Sequence, residues 1–168
     1  HVLKHDMPEY HRTGVEQFFT QTGSQTQSYA LNYYVASKLA WESSLNVNDL
    51  VREFCRKSYG AAGPAMEKFH MFIEDSWERN PKHVAYWTEQ IPVSLMEFYT
   101  PEVMNTAEEF LAQAESAESD EGSKARVNLI RKEFDYLRLV LNYIKAYAEP
   151  FKGINVNDSA AMERATKQ

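Results

Sequence analysis

Residues 28–69, SYALNYYVASKLAWESSLNVNDLVREFCRKSYGAAGPAMEKF, decide the fold. Tyr29, Tyr33, Ala36 and Ala40 recur near the four-residue spacing that places side chains on one helical face. Leu31, Tyr34, Val35 and Leu39 fill a second face, and Trp41 lies between the two. A helix apolar around most of its circumference is expected to be buried among several partners, with Trp41 packed against a neighbouring helix. Asn46 then offers an N-cap, with Asp49 three residues on as an acidic variant of the capping box. Leu50, Val51, Phe54 and Cys55 form the stripe of the next helix. Tyr59-Gly60 supplies its exit, and Pro64 suits the first turn of the helix that follows.

The run Y-x-x-x-K-L-x-W, then L-x-V-N-D-L-V-x-E-F, then Y-G-A-A-G-P-A-M resembles a bacterial family of large proteins related to alpha-glucuronidases. That family is classed as a domain of unknown function, and its members look like glycoside hydrolases. Its pattern reads roughly "Y-x-x-x-K-L-L-W-N-P-D", an aspartate-rich helix start, then "Y-Y-G-P-A-A-P-x-M". Tyr34, Lys38, Leu39 and Trp41 match it. So do Val47, Asp49, Leu50, Glu53, Phe54, Tyr59, Gly60, Ala61, Pro64 and Met66. Glu42-Ser43-Ser44 replaces the Asn-Pro-Asp corner, Ser58 the first tyrosine, and the Gly-Pro is displaced. These departures touch turns more than architecture. The resemblance implies the C-terminal helical region of a longer glycoside-hydrolase-like, secreted or periplasmic protein. His1 in place of an initiator methionine agrees with that expectation.

At 168 residues a single domain with a sizeable core is expected, and 43% apolar with 13% aromatic residues is too rich for a disordered chain. A net charge of −6 and a pI near 5.4 argue against a nucleic-acid partner, which needs a basic face. No apolar run reaches membrane-spanning length, so no membrane partner is expected. The single cysteine, Cys55, cannot form an internal disulfide and reads as a buried thiol.

Along the chain, Pro8, Gly14 and Gly23 punctuate residues 1–23, which read as extended with a strand-like run from Thr13 to Thr20. In the resembling family this segment ends a TIM-like barrel, and Gly14-Val15-Glu16-Gln17 looks like its last strand. Glu16 and Gln17 would then line a sugar pocket at the barrel's active-site face; otherwise Glu16 is a solvent-facing charge beside Phe18-Phe19. Ala62, Met66, Phe69, Ile73 and Trp77 continue a helix to Glu78, stopped by Asn80-Pro81. Residues 81–99 are aromatic without period and read as an irregular connection with one short helical turn. Thr100-Pro101 opens another helix, with Val103, Ala107, Phe110, Leu111 and Ala114 on its stripe. Ser116 to Gly122 reads as a turn. Ile130, Phe134, Leu137, Leu141 and Ile144 form a heptad seam on a last helix from about Gly122 to Ala148, which Pro150 ends.

Few motifs carry chemistry. Glu67-x-x-His70 has metal spacing, but a di-iron bundle needs a second such pair and two more glutamates, and none occurs. His70 therefore reads as a helix-surface histidine, and no metal or cofactor is expected. His1 and His5 precede Pro8 too closely for a helical zinc pair, and His11 has no partner at ligand spacing. No nucleophile elbow, P-loop, dinucleotide motif or calcium loop is present. Glycoside hydrolysis needs two carboxyls about 5 to 10 Å apart, and nothing frames such a pair among the 24 acids. Trp77 and Trp87 are candidates for stacking on a sugar; Trp77 is read mainly as a core anchor and Trp87 as substrate-binding.

The expected fold is mainly α: an antiparallel bundle of four to five helices over residues 24–150, an extended segment over 1–23, and a polar tail over 151–168. The expected role is to buttress an upstream barrel of the same protein and shape its glycan cleft, with the catalytic acids upstream and this chain alone inactive. A helical protein-interaction module without catalysis explains the periodicities equally well. Self-association through residues 1–23 is expected if that segment lacks its barrel.

Overall fold

A computed structural model describes residues 2–17, 19, 29–80 and 91–148. They form α1 (Val2–Arg12), α2 (Ala30–Trp41), α3 (Val47–Tyr59), a 3-10 turn (Gly60–Ala62), α4 (Gly63–Glu78), α5 (Ile91–Phe98), α6 (Pro101–Glu115) and α7 (Glu121–Ala148). The protein is mainly α, with no strand among the described residues. Among the described residues there are seven α-helices, six of them within residues 24–150, where a bundle of four to five was expected. The tail over 151–168 lies outside the described residues.

The local signals act where they were read. Asn46 accepts from the backbone N–H groups of Asn48 and Asp49 and caps α3. Asp49 does not complete the box, because its carboxylate is taken by Arg52 Nη1 at 2.9 Å. Gly60 closes α3 at φ +56, and Pro64 occupies the first turn of α4. Thr100 accepts from Val103 N–H at the start of α6. Asp120 takes Ser123 N–H and Ser123 Oγ at the start of α7. Gly63 is fixed by packing: a Cβ there would lie 3.0 Å from the Cys55 carbonyl oxygen, so only glycine lets α4 leave α3 so closely.

The N-terminal segment corrects the sequence reading. Residues 2–12 are helical, and residues 13–17 form a turn and irregular backbone, not a strand. Pro8 lies inside α1 and removes the bond that its N–H would give to the carbonyl of Lys4, but Lys4 is exposed and water can serve that carbonyl. Helical order comes from the other face, where Leu3, Met7 and Tyr10 follow the four-then-three spacing and Met7 is buried in the core. Gly14, at φ +80, ends α1: Val15 N–H returns to the Tyr10 carbonyl and Gly14 N–H to that of His11, a Schellman closure.

The core gathers Val51, Phe54, Cys55 and Tyr59 of α3, Met66 and Phe69 of α4, Ala107 and Leu111 of α6, and Val127, Ile130 and Phe134 of α7. Val35 and Leu39 join it from α2 and Met7 from α1. Helices α6 and α7, joined by residues 116–120, are locked by Arg131. Its guanidinium reaches Glu115 through Nε and Nη2 and Glu108 through Nη1, each at 2.8 Å. Ser119 Oγ donates to the Tyr59 carbonyl and accepts from Ala62 N–H, which seats that turn on the α3–α4 corner.

Two further expectations change. Helix α2 packs on α1 and α3, yet Trp41 at its last turn is 93% exposed and touches no core. Among the described residues, the helices that pack most on α2 are α1 and α3, and its last side chain stands clear of both. Residues 91–98, expected to hold one helical turn, form α5, while residues 81–90 lie outside the described residues.

Candidate functional site

Phe69, His70, Ile73, Glu74 and Trp77 share one side of α4 because they are spaced by one, three and four residues. This side faces a cavity of about 760 Å³. Val2 of α1, Leu31 and Asn32 of α2, Phe98 at the end of α5, and Ile130, Glu133, Phe134 and Leu137 of α7 supply the other walls. Glu78, Asn80 and Tyr99 stand at the α4–α5 end. A smaller cavity of about 490 Å³ between α1, α2 and α3 shares Val2, Leu31, Asn32 and Glu74 with it. Five helices thus meet around the larger one.

Aromatic geometry shapes its end. The Trp77 indole stacks on Phe98, with centroids 3.9 Å apart and planes 14° from parallel. Its Nε1–H donates to Tyr99 Oη at 3.1 Å. Burial raises the Tyr99 hydroxyl above its ordinary range, against the lowering effect of that donor. Asn80 Nδ2 donates to the Glu97 carbonyl at 3.4 Å and ties the end of α4 to α5.

His70 is half-buried and is not a surface residue, which corrects the sequence reading. Its ring stacks on Tyr59 and meets the edge of Phe69. Nε2 lies 3.3 Å from Tyr59 Oη. Burial pulls the imidazole down to about 4 and pushes the Tyr59 hydroxyl up, so both are neutral near pH 7. With both neutral, the pair shares one hydrogen bond, Tyr59 Oη–H to Nε2 or Nε2–H to Oη according to the imidazole tautomer. Glu67 is engaged by Arg52 Nε at 3.3 Å. No group of three or more metal-binding side chains exists among the described residues. Cys55 is fully buried, and burial raises its thiol to about 12, which makes it unreactive.

The cavity's polar groups are Asn32, His70, Asn80 and Tyr99, with the carboxylates of Glu74, Glu78 and Glu133. Each of those carboxylates has an interacting neighbour. Among the described residues no lysine or arginine lines the cavity. Apolar walls with a few convergent polar groups suit a small molecule of several hydroxyls. Among the described residues lining the cavity, no nucleophile is framed with a base.

Glu16 and Gln17 follow α1, exposed, and line neither cavity. Trp87 lies outside the described residues. The residues that sequence reading missed, His70, Tyr99 and Glu133, carried one usable signal: His70 follows Phe69 and precedes Ile73 and Trp77 on an apolar face.

Among the described residues no helix is long and apolar enough to cross a membrane. No curated protein and no solved structure matches the chain. Residues 1–71, which hold α1 to α3 and the first half of α4 with His70, match the model of a family described as a domain of unknown function (DUF4838).

Proposed function

We propose that the chain is a non-catalytic helical module of a glycoside-hydrolase-like protein, holding a sugar unit of the glycan in the cavity between α2, α4, α5 and α7. The observation that carries this reading is the composition of that cavity. It joins the edge of Trp77, 37% exposed, to amide, imidazole and carboxylate groups able to meet sugar hydroxyls. The described lining carries three carboxylates, each with a neighbour of its own, and no lysine or arginine, which favours a neutral sugar over a uronate. In this reading the catalytic acids belong to a barrel elsewhere in the protein. Glu16 and Gln17, which the sequence resemblance assigns to the sugar pocket of that barrel, and Trp87, a candidate for stacking on a sugar, are the further glycan contacts in this reading.

The other part of the proposal is docking to that barrel. His11 at the end of α1 acts electrostatically on Glu42, whose carboxylate is held low mainly by Ser44. The ends of α1 and α2 are therefore neighbours, and each end carries an exposed aromatic, Tyr10 on α1 and Trp41 on α2. Two exposed aromatics at one end of a helix pair favour a protein contact.

A glycan array probed with the purified chain, together with hydrolysis assays on aryl glycosides and glucuronides, tests the reading. Selective retention of neutral glycans with no turnover is expected. Turnover abolished by Glu16→Gln would make the chain an enzyme, and absence of retention on every glycan would leave only the interaction module.

A further inference from the structure

Leu31, Asn32, Val35 and Ala36 share one side of α2, being spaced by one, three and four residues. That side runs past both cavities: Leu31 and Asn32 border the larger, and all four border the smaller. Helix α1 is laid out in the same way. Val2 borders both, while Leu3, Met7 and Tyr10, farther along the helix, border only the smaller. With Glu74 of α4, these residues make the two spaces adjoin along a common wall. Their chemistry differs. His70, Trp77, Asn80 and Tyr99 bring hydrogen-bonding groups to the larger cavity, and none of them lines the smaller. Buried Met7, Val35, Val47 and Val51 give the smaller one apolar walls. Phe19 and Tyr10 line it while 89% and 44% exposed, so ring surface there is left in contact with water.

We infer that the smaller cavity receives an apolar alkyl or aryl group attached to the sugar held in the larger one, so that the preferred ligand is a neutral glycoside with an apolar substituent. The inference rests on the sugar reading above and names the class of sugar ligand. Size allows it: a cavity of about 150 Å³ already admits a benzene ring, and the smaller space measures about 490 Å³. Water between apolar walls finds few hydrogen-bond partners, so an apolar group gains affinity by displacing it. Charge narrows the choice further. The described lining holds the carboxylates of Asp6 and Glu74 and no lysine or arginine, which disfavours a substituent ending in an acid. Each methylene moved from water into such a site is worth about fourfold in affinity.

The test titrates the full 168-residue chain calorimetrically with the methyl and hexyl glycosides of glucose, galactose and xylose, and with 1-hexanol. For a sugar that binds, the hexyl glycoside should bind at least about tenfold more tightly than the methyl glycoside, a gain that burial of about two methylenes supplies. 1-Hexanol alone should bind more weakly than the hexyl glycoside. Ala36 lines only the smaller cavity and lies outside the core cluster. Ala36→Phe should therefore abolish the gain and leave the methyl glycoside's affinity unchanged, with Ala36→Leu as a milder filling and circular dichroism as the check on folding. Equal affinity of hexyl and methyl glycosides would overturn the inference and leave the sugar reading standing. A gain that survives both substitutions in folded chains would also overturn it, as would 1-hexanol binding as tightly as the hexyl glycoside. Binding of no glycoside of either kind would overturn the sugar reading and this inference with it.

Discussion

His70 shows how one side chain couples the cavity to stability. Its imidazole is held near 4, against an ordinary 6.5, chiefly by burial. Between those values the unfolded chain takes up a proton at this position that the folded chain refuses. The stabilisation is therefore complete above pH 6.5 and is lost as the pH falls towards 4. The difference amounts to at most about 3 kcal/mol, since the ring is half-buried and water can relax the cost. His70→Phe should remove this component. Thermal midpoints of parent and variant, measured from pH 7 to 4.5, should converge or cross on acidification, whereas parallel curves would show an ordinary imidazole. Trp41 illustrates the opposite case. Its indole is 93% exposed, so Trp41→Ala should change stability by no more than about 0.5 kcal/mol. A loss of several degrees in thermal midpoint would place the ring in a packed setting. The sequence could not separate these two residues. An aromatic at the end of an apolar helix and a histidine beside an apolar stripe look the same whether covered or not, because coverage depends on partners far along the chain.

At the level of elements, the legible features were those governed by neighbours within four residues. Asn46, Thr100, Pro64 and Gly60 act within one helical turn of the ends they mark, and each does so in the folded chain. Helix α1 was misread because Pro8 is a local breaker, whereas the opposing signal, Leu3-Met7-Tyr10, needs α2 beneath it to count. The pairing of α6 with α7 was partly legible. Their apolar stripes could be read, but Arg131 could not be matched to Glu108 and Glu115, which lie 23 and 16 residues away. Its guanidinium is largely covered and gives a bidentate pair with Glu115, so it is worth more than a surface ion pair. Arg131→Ala should cost about 1 to 3 kcal/mol in denaturant unfolding, and Arg131→Lys should recover only part because it cannot bind both carboxylates. Full recovery by lysine would show that charge alone matters there.

At the scale of the whole molecule, the cavity was the least legible feature. Its walls come from residues as distant as Val2 and Leu137, and no window of sequence contains them. Only the α4 side, Phe69 to Trp77, has a period that reports it. Glu16 and Gln17, which belong to the barrel-like signature Gly14-Val15-Glu16-Gln17, do not line it. The match over residues 1–71 ends inside α4 between His70 and Trp77, so the cavity is completed by parts of the chain beyond the matched region. The central claim is that this cavity holds a neutral sugar without acting on it. Calorimetric titration of the chain with neutral oligosaccharides and with their uronic-acid counterparts, repeated on Trp77→Ala, tests it most directly. Saturable binding of a neutral oligosaccharide is predicted, with a dissociation constant on the order of 0.1–1 mM, weaker for the uronate and abolished in Trp77→Ala. Equal binding by Trp77→Ala, or heat of binding from the uronate alone, would contradict it.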